Sequence, residues 1–228
     1  MNPSQRIRAV TFDVGGTLIE PWPGVGRVYA ETARSQGAGR VDPELLEARF
    51  KSVWRGQHRF DYSRTSWARI VDEVFFGLVA VAPSQSFFPQ LYDRFAQPDA
   101  WRIFQDVAST LDQLEAEGIR LGVISNWDGR LRGLLERLGL ARRFEVITIS
   151  CEAGAAKPSA RIFQQALAAF GLPAENILHV GDSLEMDLCG AEASGMKAVR
   201  VKRQTEQSQK GDCSSLTDVV RIVREGFD

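Results

Sequence analysis

"IRAVTFDVGGTLI", Ile7 to Ile19, decides how the rest of the chain is read. Its first half is short, rich in β-branched and aromatic residues, and closed by Gly15-Gly16. It is therefore expected to be a buried strand ending near Asp13. Four later stretches share that character: "GIRLGVISN" ending at Ser125-Asn126, "FEVITIS" ending near Ser150, "NILHVGD" ending at Asp182, and "KAVRVK". Helical patterns separate them. Leu131, Leu134, Leu135 and Leu138 fall on one face, as do Ile162, Phe163, Ala166, Leu167 and Phe170, and later Leu216, Val219, Val220 and Val223. "LEAEGI", "ERLGL" and "AAFGL" each put glycine at a helix end, where a left-handed backbone costs least. Strands alternating with helices predict an α/β fold, a three-layer Rossmann-like core with a parallel sheet covered on both faces.

One segment breaks the alternation. Between about Pro21 and Pro98 no strand is expected. Trp67, Ile70, Val71, Val74, Phe75 and Leu78 step as a helix face does, and "VDPELLEARFKSVW" reads as a helix with Asp42 as N-cap and Pro43 at its first position. This predicts an inserted all-α cap subdomain at 21–99, with 1–20 and 100–228 forming the α/β core.

Composition narrows the function classes. The chain has 228 residues, 44% of them hydrophobic and 25% charged, and a net charge of −1. That is ordinary for a globular protein, and it offers no basic footprint for nucleic acid or a membrane surface. Three scattered cysteines suggest neither a disulfide framework nor a Cys-x-x-Cys metal site, and two histidines make a histidine-rich metal site improbable on count alone. "MNPSQRIRAV" has no hydrophobic signal core and no apolar run is long enough to span a membrane, so a cytoplasmic setting is expected. Cys151 and Cys189 read as small buried hydrophobes, and His179, inside a strand, as a hydrogen-bonded core residue.

Four short motifs stand at the C-terminal ends of the expected strands, the edge of an open α/β sheet where ligands bind. They are Asp13 with Thr17, Ser125 with Asn126, Lys157 in "AAKPS", and Asp182 with Asp187 in "GDSLEMD". Taken singly, each has a bland alternative as a turn, a cap or a solvated charge. Together they suit phosphoryl transfer. A carboxylate such as Asp13 can attack phosphorus, Lys157 can balance the gathered anions, and Ser125 and the Asn126 backbone N–H can bond phosphate oxygens at the start of a helix. Asp13 and Asp182 are hard oxygen ligands suited to Mg²⁺, with Asp187 as further acidic support, and Thr17 can hydrogen-bond within the first loop.

"DVGGT" by itself also resembles the phosphate hairpin of sugar kinases. The chain shows no second Gly-Gly-Thr element and is short for the two similar domains such kinases need. The order and spacing of all four motifs resemble instead the haloacid dehalogenase-like hydrolase superfamily over nearly the whole chain, and the helical insertion after the first motif matches that family's first type of cap. "VISNWDGRL" (Val123 to Leu131) is similar to an animal branch of haloacid dehalogenase-like hydrolase domain proteins whose first motif also tends to lack its second aspartate. The resemblance implies a Mg²⁺-dependent hydrolase of a small phosphorylated substrate. It also implies Asp13 as nucleophile, Lys157 as charge support, phosphate bound by Ser125, Asn126 and Thr17, and metal held by Asp13, the Gly15 carbonyl, Asp182 and Asp187.

Gly15 departs from the pattern. Family phosphatases carry an aspartate there, which protonates the leaving alcohol and then activates water. Such help is worth about 10²–10⁴ in rate. Three readings follow: a slow phosphatase or one with easily displaced leaving groups, a site where a cap residue or the substrate supplies the proton, or a phosphate-binding protein with little turnover. 2-Haloacid dehalogenases and phosphonatases, branches that also lack the aspartate, are the further alternative. Lys51 is the one lysine in the insertion that could serve a phosphonatase as a Schiff base, although it reads better as a solvated helix-face residue. Trp22 and Trp127 are candidates to lie against a substrate, Arg27 and Arg55 to bind a second anion, and His58 to stand in as an acid.

Overall fold

The structure, a computed structural model, describes residues 6–57, 60–203 and 212–225; His58 and most of the polar stretch 204–215 lie outside the described residues. Seven strands occur in chain order: β1 (Ala9–Phe12), β2 (Ile19–Pro21), β3 (Trp101–Ile103), β4 (Arg120–Ser125), β5 (Val146–Ile149), β6 (Ile177–Gly181) and β7 (Lys197–Arg200). Five of them form one parallel sheet in the order β5-β4-β1-β6-β7. Every residue of β1 and β6 is buried, which is why these segments show no alternation of apolar and solvent-facing charged residues. The chain works outward from β1 through β4 to β5, then returns to the other side for β6 and β7. The topological switch point therefore falls between β1 and β6.

The chain divides into two compact units. The first comprises 1–19, 103–129 and 139–228 and contains the sheet. Its helices are α5 (Val107–Ala116), α7 (Ser150–Ala153), α8 (Ala160–Phe170), α9 (Gly190–Ala193) and α10 (Thr217–Glu225), with a π-helical turn at Leu184–Cys189. Helix α8 buries Ile162, Phe163, Ala166 and Phe170 against Ala9, Ile124 and Ile177 of the strands, as its spacing requires. It ends at Gly171 with φ 61°, whose N–H donates to Leu167 O at 3.0 Å.

The second unit comprises 20–102 and 130–138. It is the inserted helical cap, built from α1 (Val25–Ser35), α2 (Pro43–Arg55), α3 (Arg64–Phe75) and α4 (Phe88–Arg94), and α6 (Leu131–Arg137) groups with it. Asp42 caps α2 by accepting from Glu44 N–H at 3.0 Å, with Pro43 at the first position. The unit has its own core: Val28, Tyr29, Leu46, Ile70, Val74, Phe75 and Leu91 are buried together, and Tyr29 stacks on Phe75 at 5.7 Å. Strands β2 and β3 make a two-stranded antiparallel ribbon, with Trp22 N–H bonded to Ala100 O and Phe104 N–H to Leu18 O.

One expectation is corrected. Cys151 and Cys189 are exposed and only Cys213 is buried. Helix α7 turns Ser150 and Ala153 inward and leaves Cys151 outside, while the π-helical turn gives its buried position to Asp187. No helix among the described residues is long and apolar enough to cross a membrane.

Candidate active site

The register of the sheet sets the site. Phe12 is level with Val123 on one side and Val180 on the other, so the chain beyond β1, β4 and β6 emerges along one edge carrying Asp13, Ser125 and Asp182. Asp13 N–H still bonds to Val180 O at 2.8 Å, which holds the first residue past β1 in line with the sheet. The loop then turns on itself. Val14 O accepts from the N–H groups of Thr17, Leu18 and Ile19, and Gly16 N–H donates to Ile19 O at 2.8 Å.

Six polar side chains are joined beneath that edge. Asp13 Oδ1 accepts from Ser125 Oγ at 2.9 Å and from Lys157 Nζ at 2.7 Å. The same ammonium reaches Asp187 Oδ1 at 2.5 Å. Asp187 Oδ1 also meets His179 Nε2 at 3.1 Å, Asp187 Oδ2 accepts from Ser183 N–H at 3.0 Å, and His179 Nδ1 lies 2.9 Å from the Thr11 hydroxyl. A ring with Nε2–H donating to the carboxylate and Nδ1 accepting from Thr11 satisfies both contacts. His179 is thus a hydrogen-bonded core residue, as its place in β6 suggested. Asp13, Ser125, Lys157, His179 and Asp187 are all buried.

Lys157 is held from both ends. Its backbone N–H donates to Asn126 Oδ1 at 2.7 Å, and Asn126 Nδ2 donates to its carbonyl at 3.0 Å. The Asn126 amide thus fixes the loop that delivers the lysine, 31 residues further along. Thr17 is fully buried inside the first turn, its hydroxyl without a hydrogen-bond partner among the described residues, and its carbonyl accepts from Arg203 Nη2 at 2.6 Å. Neither the Asn126 amide contact nor the Arg203 tie has a local sequence signal, because both join residues far apart in the chain.

The charges in the site do not balance. Three carboxylates, Asp13, Asp182 and Asp187, bring oxygens within 4.8 Å of one another, against the single ammonium of Lys157. Burial, only partly offset by Lys157, raises the pKa of Asp13. Burial works against ionised Lys157 and Asp187 too. Their mutual attraction, with Asp13 for the lysine and His179 for the aspartate, overcomes it, so Lys157 is held above and Asp187 below its ordinary value. Asp182 absorbs the excess. The protein around it, then the Asp13 and Asp187 charges, push its pKa up to about 7, although its exposure to solvent screens part of that push. A divalent cation would supply the missing two positive charges, and hard carboxylate oxygens are the donors Mg²⁺ takes. The residues present therefore fit a divalent metal.

Gly16 makes room for that group. Its φ is 78°, and a Cβ there would stand 2.5 Å from Asp182 Oδ2. Gly16→Ala is expected to lower the melting temperature and, if Asp182 is among the groups that hold a divalent cation, to weaken its binding at least about tenfold, since the Cβ strains the loop and displaces the Asp182 carboxylate together. Titration calorimetry with Mg²⁺ checks this, and unchanged affinity would remove Asp182 from the metal set.

Several other candidates lie in the helical unit. Lys51 pairs with Glu47 at 3.3 Å and is exposed, whereas a Schiff-base lysine needs desolvation or a cationic neighbour to lower its pKa. Trp22 is covered by the Arg102 guanidinium at 3.8 Å, and Arg27 and Arg55 are exposed. Trp127, in the sheet unit, is half-buried beside Gly15.

Comparison with known proteins agrees with this geometry. The family model for haloacid dehalogenase-like hydrolase matches residues 7–195. A human protein described as haloacid dehalogenase-like hydrolase domain-containing protein 3 is 37% identical over 208 residues, covering 86% of this chain and 82% of its own length. A phosphoglycolate phosphatase from Salmonella typhi is 30% identical over 211 residues, covering 87% and 82%. The fold is shared with the magnesium-bound putative HAD-hydrolase YfnB from Bacillus subtilis, with a TM-score of 0.75 at 17% identity over 96% of this chain and 99% of that one. With the motifs after β1, β4 and β6 in place and the family model spanning most of the chain, the protein belongs to the haloacid dehalogenase-like hydrolases.

Proposed function

We propose that the chain is a Mg²⁺-dependent phosphatase that acts on a small phosphorylated metabolite through an aspartyl-phosphate on Asp13. Residues 1–20 and 100–228 form its catalytic core and 21–99 its cap. The observation that carries this reading is one buried carboxylate, Asp13, bonded through the same oxygen to Ser125 and Lys157, with Asp182 and Asp187 crowded beside it. Oδ1 takes both hydrogen bonds, which leaves Oδ2 to attack phosphorus. A bond forms from Oδ2 to phosphorus as the bond to the leaving oxygen breaks. Water then attacks phosphorus, releasing phosphate and restoring the carboxylate. Lys157 balances the charge on Asp13 and the arriving phosphoryl group; the Asn126 backbone N–H bonds its oxygens, and so does Ser125 once its single O–H turns from Asp13 to the substrate. Asp13, Asp182 and the Gly15 carbonyl would hold Mg²⁺, with Asp187 as direct or water-mediated support. The metal would supply charge neutralisation at the phosphoryl oxygens. The Salmonella relative's description as a phosphatase supports the same chemistry, and the carboxylate group favours it over halide displacement.

The test is phosphate release from acetyl phosphate and 4-nitrophenyl phosphate with Mg²⁺ and with a chelator. Release that needs the metal is expected. No release from a folded protein would reject the phosphatase reading. If Mg²⁺ and phosphate still raised the melting temperature, a phosphate-binding protein would replace it.

The metal-free protein should also show a pH signature. Folded Asp182, near pH 7, lies above its unfolded value of about 4, so the folded state holds a proton there that the unfolded chain releases. This group's contribution to stability is full below about pH 4 and lost as the pH rises through about 7. Mg²⁺ binds the ionised form. Saturating Mg²⁺ is therefore expected to raise the melting temperature more at about pH 8 than at about pH 5.5. Equal rises would separate Asp182 from the metal.

A further inference from the structure

Gly15 and Trp127 belong to different motifs and meet in the structure. A Cβ on Gly15 would lie 3.2 Å from Trp127 Cζ3 and 3.9 Å from Cη2. The first distance is tighter than ordinary packing, so a side chain at position 15 requires the indole to give by a few tenths of an ångström. Its backbone is clamped. Trp127 N–H donates to Ser150 Oγ at 3.0 Å, the Ser150 hydroxyl lies 3.0 Å from Trp127 O, and Cys151 N–H donates to that carbonyl at 3.3 Å. The ring is half-buried, and it follows directly on Ser125, which bonds Asp13, and Asn126, which fixes Lys157. One face of the first-motif loop therefore carries an aromatic wall where a carboxylate would otherwise project.

We infer that Trp127 is the specificity-determining residue of this site: its indole fills the space a side chain at position 15 would take, and it selects phosphate esters of aromatic, acidic alcohols. The inference rests on the phosphatase reading above and names its substrate class. Without a proton donor at position 15, esters of ordinary alcohols lose about 10²–10⁴ in rate, whereas a phenolate leaves without needing the proton. An aromatic leaving group also gains from lying against the indole, by a factor of roughly two to ten.

The test is kcat/KM with Mg²⁺ for acetyl phosphate, 4-nitrophenyl phosphate, phenyl phosphate and glycerol phosphate. The proteins are wild type, Trp127→Leu, Trp127→Phe, Gly15→Asp and the double variant Gly15→Asp/Trp127→Leu, each checked for folding by circular dichroism. Wild type is expected to prefer 4-nitrophenyl phosphate over glycerol phosphate at least about 100-fold. Trp127→Leu is expected to lower the phenyl-to-acetyl phosphate ratio about fivefold through KM, and Trp127→Phe to keep most of it. Gly15→Asp alone should gain little on glycerol phosphate, while the double variant should exceed it at least about tenfold. An unchanged phenyl-to-acetyl ratio in Trp127→Leu, or a Gly15→Asp variant as active as the double one, would overturn the assignment to Trp127. A wild type that hydrolyses acetyl phosphate with no aryl preference overturns this inference alone. A wild type inert towards acetyl phosphate overturns the phosphatase reading beneath it.

Discussion

Lys157→Met is expected to unfold the protein by about 3–5 kcal/mol more readily at neutral pH, because it strands two buried carboxylates. In the native chain one ammonium serves both Asp13 and Asp187, at 2.7 and 2.5 Å, and all three groups are buried. Methionine has nearly the lysine's shape without its charge, so the loss reports electrostatics rather than a cavity. For a chain of this length the shift in melting temperature is about 2–4 °C per kcal/mol.

The pH dependence follows with its sign. The native Lys157 pKa is raised, so the lysine's contribution is complete well below its unfolded value and flat through neutrality. Asp187 is depressed, so its contribution is complete above its unfolded value of about 4 and lost as the pH falls through its lower folded value. In the variant both carboxylates lose their counter-charge, and their pKa values rise. The variant should recover part of its deficit on acidification, as protonation neutralises them, whereas the wild type gains nothing comparable. Urea melts at about pH 5.5 and about pH 8 separate these outcomes. A deficit independent of pH would show that the lysine contributes packing and not charge. Turnover should fall about 10²–10³-fold in the same variant.

Asp13→Asn is the second large effect and has the opposite profile. Removing the proposed nucleophile is expected to lower turnover at least about 10⁴-fold. Stability should not fall, because Lys157 keeps Asp187 as its partner and the site loses one of three mutually repelling carboxylates. Mg²⁺ affinity should drop as a proposed ligand is lost. Phosphate-release kinetics together with a melting curve check both parts, and residual turnover near wild type would exclude Asp13 as the attacking group.

The two variants draw on what the sequence showed well. β1 and β6 are short, β-rich segments buried along their whole length, and each is followed at once by an acid of the candidate site. Asp13 and Asp182 could therefore be placed on one sheet edge from pattern alone. Side-chain geometry was less legible. That Asn126 would spend its amide on the Lys157 backbone depends on how the loop from α7 to α8 returns to β4. That Gly15 would face an indole depends on Ser150 clamping Trp127 from the end of β5. The ribbon of β2 and β3 escaped notice because three-residue strands are too short to show alternation. The grouping of α6 with the helical unit has no local signal either, since its Leu131, Leu134 and Leu135 face would read the same packed against either unit. Cys151 and Cys189 depart from expectation because residue type predicts burial only on average, and the outward side of a four-residue helix (Cys151) or of a π-helical turn (Cys189) is not revealed by spacing.

The absence of a carboxylate at position 15 provides the most direct test of the mechanism. The group that would activate water against the proposed aspartyl-phosphate is missing at Gly15, so that intermediate is expected to outlive the first chemical step. Mixing 4-nitrophenyl phosphate with the Mg²⁺-loaded protein and quenching in acid at early times should give a burst of nitrophenol equal to the protein present. One phosphoryl group should then be found by mass spectrometry on the peptide containing Asp13, and none on Asp13→Asn. Steady nitrophenol release with no burst and no label at residue 13, persisting in Asp13→Asn, would contradict the account.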